Sequence, residues 1–444
     1  MKHVFLVGLC VLSISAAVAQ TNVGTVTQVG NSLTGNIGQT GTGLTGVVSQ
    51  TASNPITSAN NSGIISQTGT NHNALIEQNN GSTYNKALIT QSGSSSGNVG
   101  YITQSNGSGG SSASLGNTAA IDQDGAANRA GIFQDGTNTT TNAAEIWQAG
   151  DNNGRPTAGA RGDVYIDQSG STSNRAEVYQ GDDTRNGTVI GIAGTASSNG
   201  AQIDQQGGSQ SNTAVVRQFS DNNNARVRQD GPNSQSNVTT ITQDGNGNNT
   251  AYVDQGGSEG YDSRNNQATI VQAGQSSTAT VQQFYYAQNG IVTITQGADG
   301  SGNSALAVQF NTSAESNTIS IGQNETSMGM GNVAIVLQGT TSPFSPTSGG
   351  NRATISQEDS FNYTGLFQTG QTNTAIISQA GNGNAVTSLT RDNPLDSNLP
   401  NVAVQDGTGN RMDVGQQANA GIANTANIIQ TGVNQTTFIR QTGN

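Results

Sequence analysis

One nine-residue pattern, Asn-x-Ala-x-Ile/Val-x-Gln-x-Gly, recurs from Asn22 almost to the end of the chain. Asn128-Arg-Ala130-Gly-Ile132-Phe-Gln134-Asp-Gly136 is one clear copy, and Asn373-Thr-Ala375-Ile-Ile377-Ser-Gln379-Ala-Gly381 is another. Anchored on the glutamine, 30 copies run from Gln28 to Gln441. Ile or Val stands two positions before it in 27 of the 30, the exceptions being Ala307, Leu366 and Ala403, and Asn stands six positions before it in 22. Internal periodicity of this strength decides the architecture before any other feature does.

The fixed residues lie two apart. Side chains alternate faces in a strand, so such a spacing puts them all on one side, whereas a helix would scatter them around its axis. The intervening positions are variable and mostly polar, which gives one inward and one outward face. Ile and Val at mid-strand suit a pleated surface. Successive glutamines are most often 11 residues apart, as from Gln67 to Gln78, which is room for one short strand and one tight turn. The Gly and Asn of the joining Gln-x-Gly-x-x-Asn are turn formers. Pro55, Pro156, Pro232, Pro343, Pro346 and Pro394 fall between units, and Pro400 falls in a weak one. Proline removes a ladder donor, so this placement supports the strands.

No single unit can bury its apolar stripe, but stacked units can. The expected fold is all-β: a β-solenoid of short strand–turn units, about two strands per turn, with amyloid-like cross-β stacking. Thirty units then make about fifteen turns, and at ~4.8 Å per layer the rod is on the order of 70 Å long. Stacked Ile and Val fill the interior, and stacked Asn and Gln are expected to hydrogen-bond to identical neighbours above and below. Longer spacings mark loops projecting from the rod, at 53–60, 106–116, 149–162, 181–198, 339–350 and 380–398.

Composition narrows the setting. Only 9% of residues are charged and 31% hydrophobic. Disordered chains of low hydrophobicity normally carry high charge as well, so the scarcity of charge favours stacking. The amino terminus reads as a signal peptide over residues 1–19. Lys2 and His3 precede an apolar run from Val4 to Leu12, and Ala17-Val18-Ala19 fits a cleavage site before Gln20. Residues 20–444 then form one repeat domain. The apolar run is too short to cross a bilayer, so membrane insertion is not expected. Cys10, the sole cysteine, lies inside the leader, which leaves the exported chain without disulfides. Loss of Lys2 leaves 14 basic against 27 acidic residues, a net charge of −13. That balance argues against nucleic acid or an anionic membrane as partner.

Catalytic material is sparse, and no enzyme activity, cofactor or metal site is expected. His72 is the one histidine beyond the leader and stands where Asn is usual, which makes it an Asn substitute. Without a second histidine or a paired lysine, the serines and threonines have no activating base, and zinc sites of Cys/His type are excluded. Asp244-Gly-Asn246-Gly-Asn248 resembles the start of a calcium loop, but Asn249 and Gln255 stand where Gly and Glu are required.

The linked units Gln123-Asp-Gly125-Ala-Ala-Asn128-Arg-Ala130-Gly-Ile-Phe-Gln134 resemble the repeat of curlin, the subunit of bacterial curli fibres. Gln368-Thr-Gly370-Gln-Thr-Asn373-Thr-Ala375-Ile-Ile-Ser-Gln379 matches its fixed positions, and the resemblance covers nearly all of the chain beyond the leader. It implies a secreted, cell-surface functional amyloid of the biofilm matrix. It also implies a fibre nucleator and an outer-membrane secretion pore as partners. By that resemblance the chain would be an unusually long member, with irregular insertions and a first unit that follows closely on the expected leader.

A solenoid ends in two open strand edges, which globular β proteins normally protect. The expected mechanism is homopolymerisation by edge addition. Its assembly residues are the inward Asn128, Ala130, Ile132, Gln134, Asn237, Ile241, Gln243, Asn373, Ala375, Ile377, Gln379, Ile439 and Gln441. Outward charges such as Asp124, Asp135, Asp230, Asp244, Glu145, Arg217 and Arg228 face solvent or slow premature association. Phe133, Trp147, Tyr179 and Phe367 are expected outward, available for bundling or adhesion. The alternative is a monomeric adhesin or ice-binding rod. Against ice binding, the outward Thr27, Thr90, Thr103, Thr242 and Thr295 are interrupted by Asp, Arg and aromatic residues. A β-helix enzyme acting on polysaccharide would need clustered carboxylates, and the acids are dispersed.

Overall fold

The computed structural model describes residues 21–443 apart from 31, 52–59, 80–82, 94–96, 106–115, 137–138, 151–163, 182–197, 246, 257–262, 285, 298–300, 311–315, 325–330, 340–348, 388–401 and 419–422. The expected leader and most of each expected loop lie outside the described residues.

The described chain is all-β, a solenoid of two stacked parallel sheets with 17 and 15 strands. Successive units alternate between them: Val23–Val29 enters the first sheet, Thr34–Thr42 the second, and Thr45–Thr51 the first again. In the larger sheet two layers are split, into Ala385–Thr387 with Ala403–Thr408 and Thr425–Asn427 with Ile429–Val433. Both sheets therefore contain fifteen layers, two strands to a layer, as the unit spacing predicts.

Register follows the repeat. Ala144, Ile146 and Gln148 stack on Ala176, Val178 and Gln180, so each fixed residue meets its own kind one layer on. A slip of one residue would turn the whole inward set to solvent. The interior is one continuous apolar column of Ala and Ile/Val from both sheets, including Ile132, Ile241 and Ile377. The exceptions to the pattern compensate locally, since the bulkier Leu366 stacks on the smaller Ala403.

The corners explain the rest of the unit. Just before the inward Asn, the chain takes a left-handed residue, as at Ala127 (φ 55), Thr141 (φ 55), Ser236 (φ 54) and Thr372 (φ 54). The Gly of Gln-x-Gly also turns the chain instead of extending the inward face. Gly370 has φ 86, and a Cβ there would lie 2.0 Å from the carbonyl oxygen of Gly407 in the next layer. Only glycine combines that backbone with that approach.

Two features depart from a plain two-stranded turn. Between Thr140 and Gln288, one corner widens into a third, narrow parallel stack. It runs through Thr140, Thr172, Gln210, Gln235, Arg264 and Gln288. Its inward side is small and polar, with Thr139, Ser171, Ser209, Ser234 and Ser263 buried. The second departure is a separate apolar cluster of Val308, Phe310, Ile335, Leu337, Phe367, Val402 and Val404. It gathers outward positions of the larger sheet, such as Val308, Leu337 and Phe367, which stack in register.

Candidate self-assembly site

Each unit brings one glutamine inward beside its Ile or Val. Ile132 and Gln134 are both fully buried on the same side of the backbone, and so are Ile241 with Gln243 and Ile377 with Gln379. A buried primary amide left unpaired costs about 1–3 kcal/mol, so stacking is tolerable only if every amide is satisfied.

Two glutamine ladders meet that requirement. In the larger sheet, Gln104 donates from Nε2 to Oε1 of Gln134 at 2.9 Å, Gln134 to Gln168 at 2.8 Å, and Gln168 to Gln205 at 2.9 Å. In the other sheet, Gln218 donates to Gln243 at 2.8 Å, Gln357 to Gln379 at 2.9 Å, and Gln379 to Gln416 at 2.9 Å. The second amide hydrogen crosses to the opposite sheet. Gln134 reaches the carbonyl of Thr118 at 3.1 Å, Gln243 that of Asn224 at 3.1 Å, and Gln379 that of Tyr363 at 3.0 Å. Each glutamine thus ties its layer to the next and one sheet to the other.

All the inter-glutamine bonds share one direction, with the donor always in the earlier layer. The ladders begin with Gln28 donating to Gln50 and Gln39 to Gln67. They end with Gln405 donating to Gln430 and Gln416 to Gln441. The described rod therefore opens on amide oxygens at Gln28 and Gln39 and closes on amide nitrogens at Gln441 and at Gln430, the latter donating to Thr437 Oγ1 at 2.8 Å in place of a further glutamine.

The asparagines behave differently from the expected amide-to-amide stack. Asn98 Oδ1 accepts the backbone N–H of Asn128 at 2.9 Å, Asn212 that of Asn237 at 2.8 Å, and Asn351 that of Asn373 at 2.9 Å. Their Nδ2 groups donate to corner carbonyls, as Asn128 does to Gly150 at 2.8 Å and Asn373 to Gly407 at 3.0 Å. Asparagine is one methylene shorter and sits next to the left-handed residue, so it caps the turn of the following layer. Near the carboxyl end, Asn384 does donate to Asn362 Oδ1 at 3.1 Å.

His72 occupies an asparagine place. It is 1% exposed, and its Nδ1 accepts the backbone N–H of Asn98 at 3.3 Å. Its Nε2 lies 3.2 Å from the carbonyl of Thr68, which fixes the neutral tautomer with hydrogen on Nε2. Burial is the main cause that lowers its pKa, opposed by the bonds to Thr68 and Gly93.

Ala130 and Ala375 are buried beside the ladder residues. Ile439 and Gln441 point inward but are only partly covered, because they belong to the last layer and have a neighbour on one side only. The matching edge at the other end, Val23–Val29, pairs with Thr45–Thr51 alone among the described strands. Val29 is 56% exposed, Val433 66% and Phe438 65%.

Of the aromatics expected to be available outside, Phe367 is 1% and Trp147 7% exposed. Phe367 is held in the second apolar cluster, and Trp147 stacks in register between Asp122 and Tyr179. Phe133 packs on Tyr101 with ring centroids 5.5 Å apart, and Arg217 lies over the Tyr179 ring at 5.7 Å. Outward strand positions are covered by their neighbours in adjacent layers, a screening that a single unit does not reveal.

Outward acids collect beside the larger sheet. Ser169 Oγ lies 2.5 Å from both Asp135 and Asp167, its one hydrogen shared between the two carboxyl groups, and Arg226 pairs with Asp204 at 3.3 Å. Arg228 pairs with Asp230 at 2.8 Å and lies 3.7 Å from Asp254. Burial leads the causes that raise Asp167, Asp204 and Asp254 above the ordinary carboxylate value. Among the described residues, no group of three or more His, Cys, Asp or Glu side chains could hold a metal ion, and no helix is long and apolar enough to cross a membrane.

No protein-family model matches the chain, and no curated protein matches it.

Proposed function

We propose that the chain is a structural subunit of extracellular, curli-like functional amyloid fibres, which polymerise by adding one rod to the end of another. The biological setting is a biofilm matrix and surface attachment, with a fibre nucleator and an outer-membrane secretion pore as further partners by family resemblance. The observation that carries the reading is the single direction of both glutamine ladders. The spare amide hydrogen of Gln441 at one edge, and that of Gln430 once it leaves Thr437 Oγ1, are complementary to the acceptors of Gln28 and Gln39 at the other. Parallel strands and apolar contacts continue across such a joint, because the terminal Ile439 and the initial Val26 and Ile37 are the partly buried ends of the core. Joining two like ends would set acceptor against acceptor or donor against donor.

The test uses residues 20–444, purified and held at neutral pH, followed by thioflavin fluorescence and electron microscopy. Unbranched fibres with a cross-β reflection near ~4.8 Å are the expected result. A lasting soluble monomer would overturn the proposal in favour of a monomeric adhesin rod, and cleavage of a glycan would overturn it in favour of an enzyme.

A further inference from the structure

The outward face of the smaller sheet carries a pattern that neither stacking nor polymerisation uses. Six successive strands build it: Val238–Gln243, Gln267–Gln272, Ile291–Gln296, Thr318–Asn324, Arg352–Glu358 and Thr374–Ala380. Its central column reads Thr240, Thr269, Thr293, Ser320 and Thr354, each paired directly with the next, and ends at Ile376 on the sixth strand. The column beside it reads Thr242, Val271, Thr295, Gly322, Ser356 and Ser378. None of these positions is buried. The column containing Thr242 and Thr295 is interrupted, as the sequence suggests, but the register reveals a second column with a hydroxyl on each of five consecutive strands.

This face constrains its ligand by chemistry. Hydroxyls repeat every ~4.8 Å along a column, and neighbouring columns lie two residues, about 6.7 Å, apart. Threonine is stiff at χ1, so its hydroxyl and methyl hold fixed places on that grid. Across the twenty-one outward positions of the six strands the only charges are Arg352 and Glu358, of opposite sign at the two ends of one strand, and no residue is aromatic. A mineral or a polyanion would need charge, and a polysaccharide platform would need rings on which sugars stack. A neutral, periodic grid of hydroxyls and methyls matches a neutral, periodic partner. At the same layers the opposite sheet turns outward the apolar cluster around Val308, Leu337 and Phe367, which is buried. The hydroxyl grid is therefore one-sided.

We propose that the face centred on Thr269 and Thr293 adsorbs to ice, by ordering a layer of water that matches the crystal lattice. The site is independent of polymerisation, since it lies on the side of the rod and not at its ends.

The test freezes the protein, as monomer or fibre, in sucrose solution and follows ice-grain coarsening, together with uptake of dye-labelled protein into a growing ice front. The wild-type chain is expected to arrest coarsening and enter the ice. Thr269→Lys/Thr293→Lys and the milder Thr269→Ala/Thr293→Ala are both expected to lose these effects. Thr280→Lys, on the other sheet, is expected to keep them. Thioflavin assays on the same samples report folding and fibre formation separately, so loss of polymerisation and loss of ice adsorption are read apart. Wild-type protein that leaves grain growth as an inert protein does would overturn the proposal. So would full activity in the double variants, or retention on crystalline polysaccharide in place of ice.

Discussion

Gln134 donates its amide to Gln168, 34 residues further along the chain, at 2.8 Å, while accepting the amide of Gln104 at 2.9 Å. Replacing Gln134 with Leu strands one donor and one acceptor inside the rod. At about 1–3 kcal/mol for each buried group, the expected loss is about 2–6 kcal/mol. Denaturant-induced unfolding of Gln134→Leu against wild type measures it. Gln441→Leu, at the last layer, should cost far less stability and slow fibre elongation instead.

The apolar column gives a second prediction. Ile132, Ile241 and Ile377 are each 1% exposed or less. Changing all three to Asp forces carboxylates into a site without counter-charge, which should delay or abolish fibres in a thioflavin time course. Ile132→Ala alone should destabilise by roughly 2–5 kcal/mol. Unchanged growth of the triple variant would contradict the assigned interior.

His72 makes one layer sensitive to acid. Its Nδ1 must stay unprotonated to accept from Asn98, and its folded pKa lies below the ordinary 6.5. The unfolded chain therefore takes up the proton first, and stability falls as pH drops below about 6.5 until the folded value is passed. Amide exchange in the strands Asn73–Asn79 and Val99–Ser105 should speed up over that window. His72→Asn, which restores the residue usual at that place, should remove the dependence.

Asp167 works in the opposite direction. Burial raises its pKa above 3.8, and the nearby Asp135 and Asp204 add to the rise against the bonds from Ser169. The folded state binds this proton more tightly than the unfolded state, so stability declines as pH rises from 3.8 through the folded value. Asp167→Asn should melt higher than wild type at neutral pH, and the difference should vanish in strong acid. Thermal melts of the two proteins across that range provide the check.

The alternation of buried and exposed positions, the in-register stacking and the two strands per layer were all legible in the spacing of Asn, Ala, Ile/Val and Gln. A residue's face within a strand depends on a two-residue period alone, so Ile132 and Gln134 could be placed without any partner. What required the stack was anything decided between layers. The course of Asn128 Oδ1 and Nδ2 depends on the corner geometry of neighbouring layers. Covering of Trp147 and Phe367 depends on which residues stand one layer away. The narrow third stack at Ser171, Ser209, Ser234 and Ser263 hides in spacings that read as loose insertions, and only the recurrence of Ser or Thr in them hinted at order. The Thr240–Thr354 column likewise emerges only when strands far apart in sequence are laid side by side.

Because Ala, Ile/Val and Gln present nearly the same surface at each layer, the contacts above and below one pair of units are close to interchangeable. Excising or duplicating such a pair would rejoin matching faces and leave both amide chains unbroken. The rod's length is thus a countable quantity, set by how many periods the gene carries, while the surface of each period remains free to acquire its own chemistry.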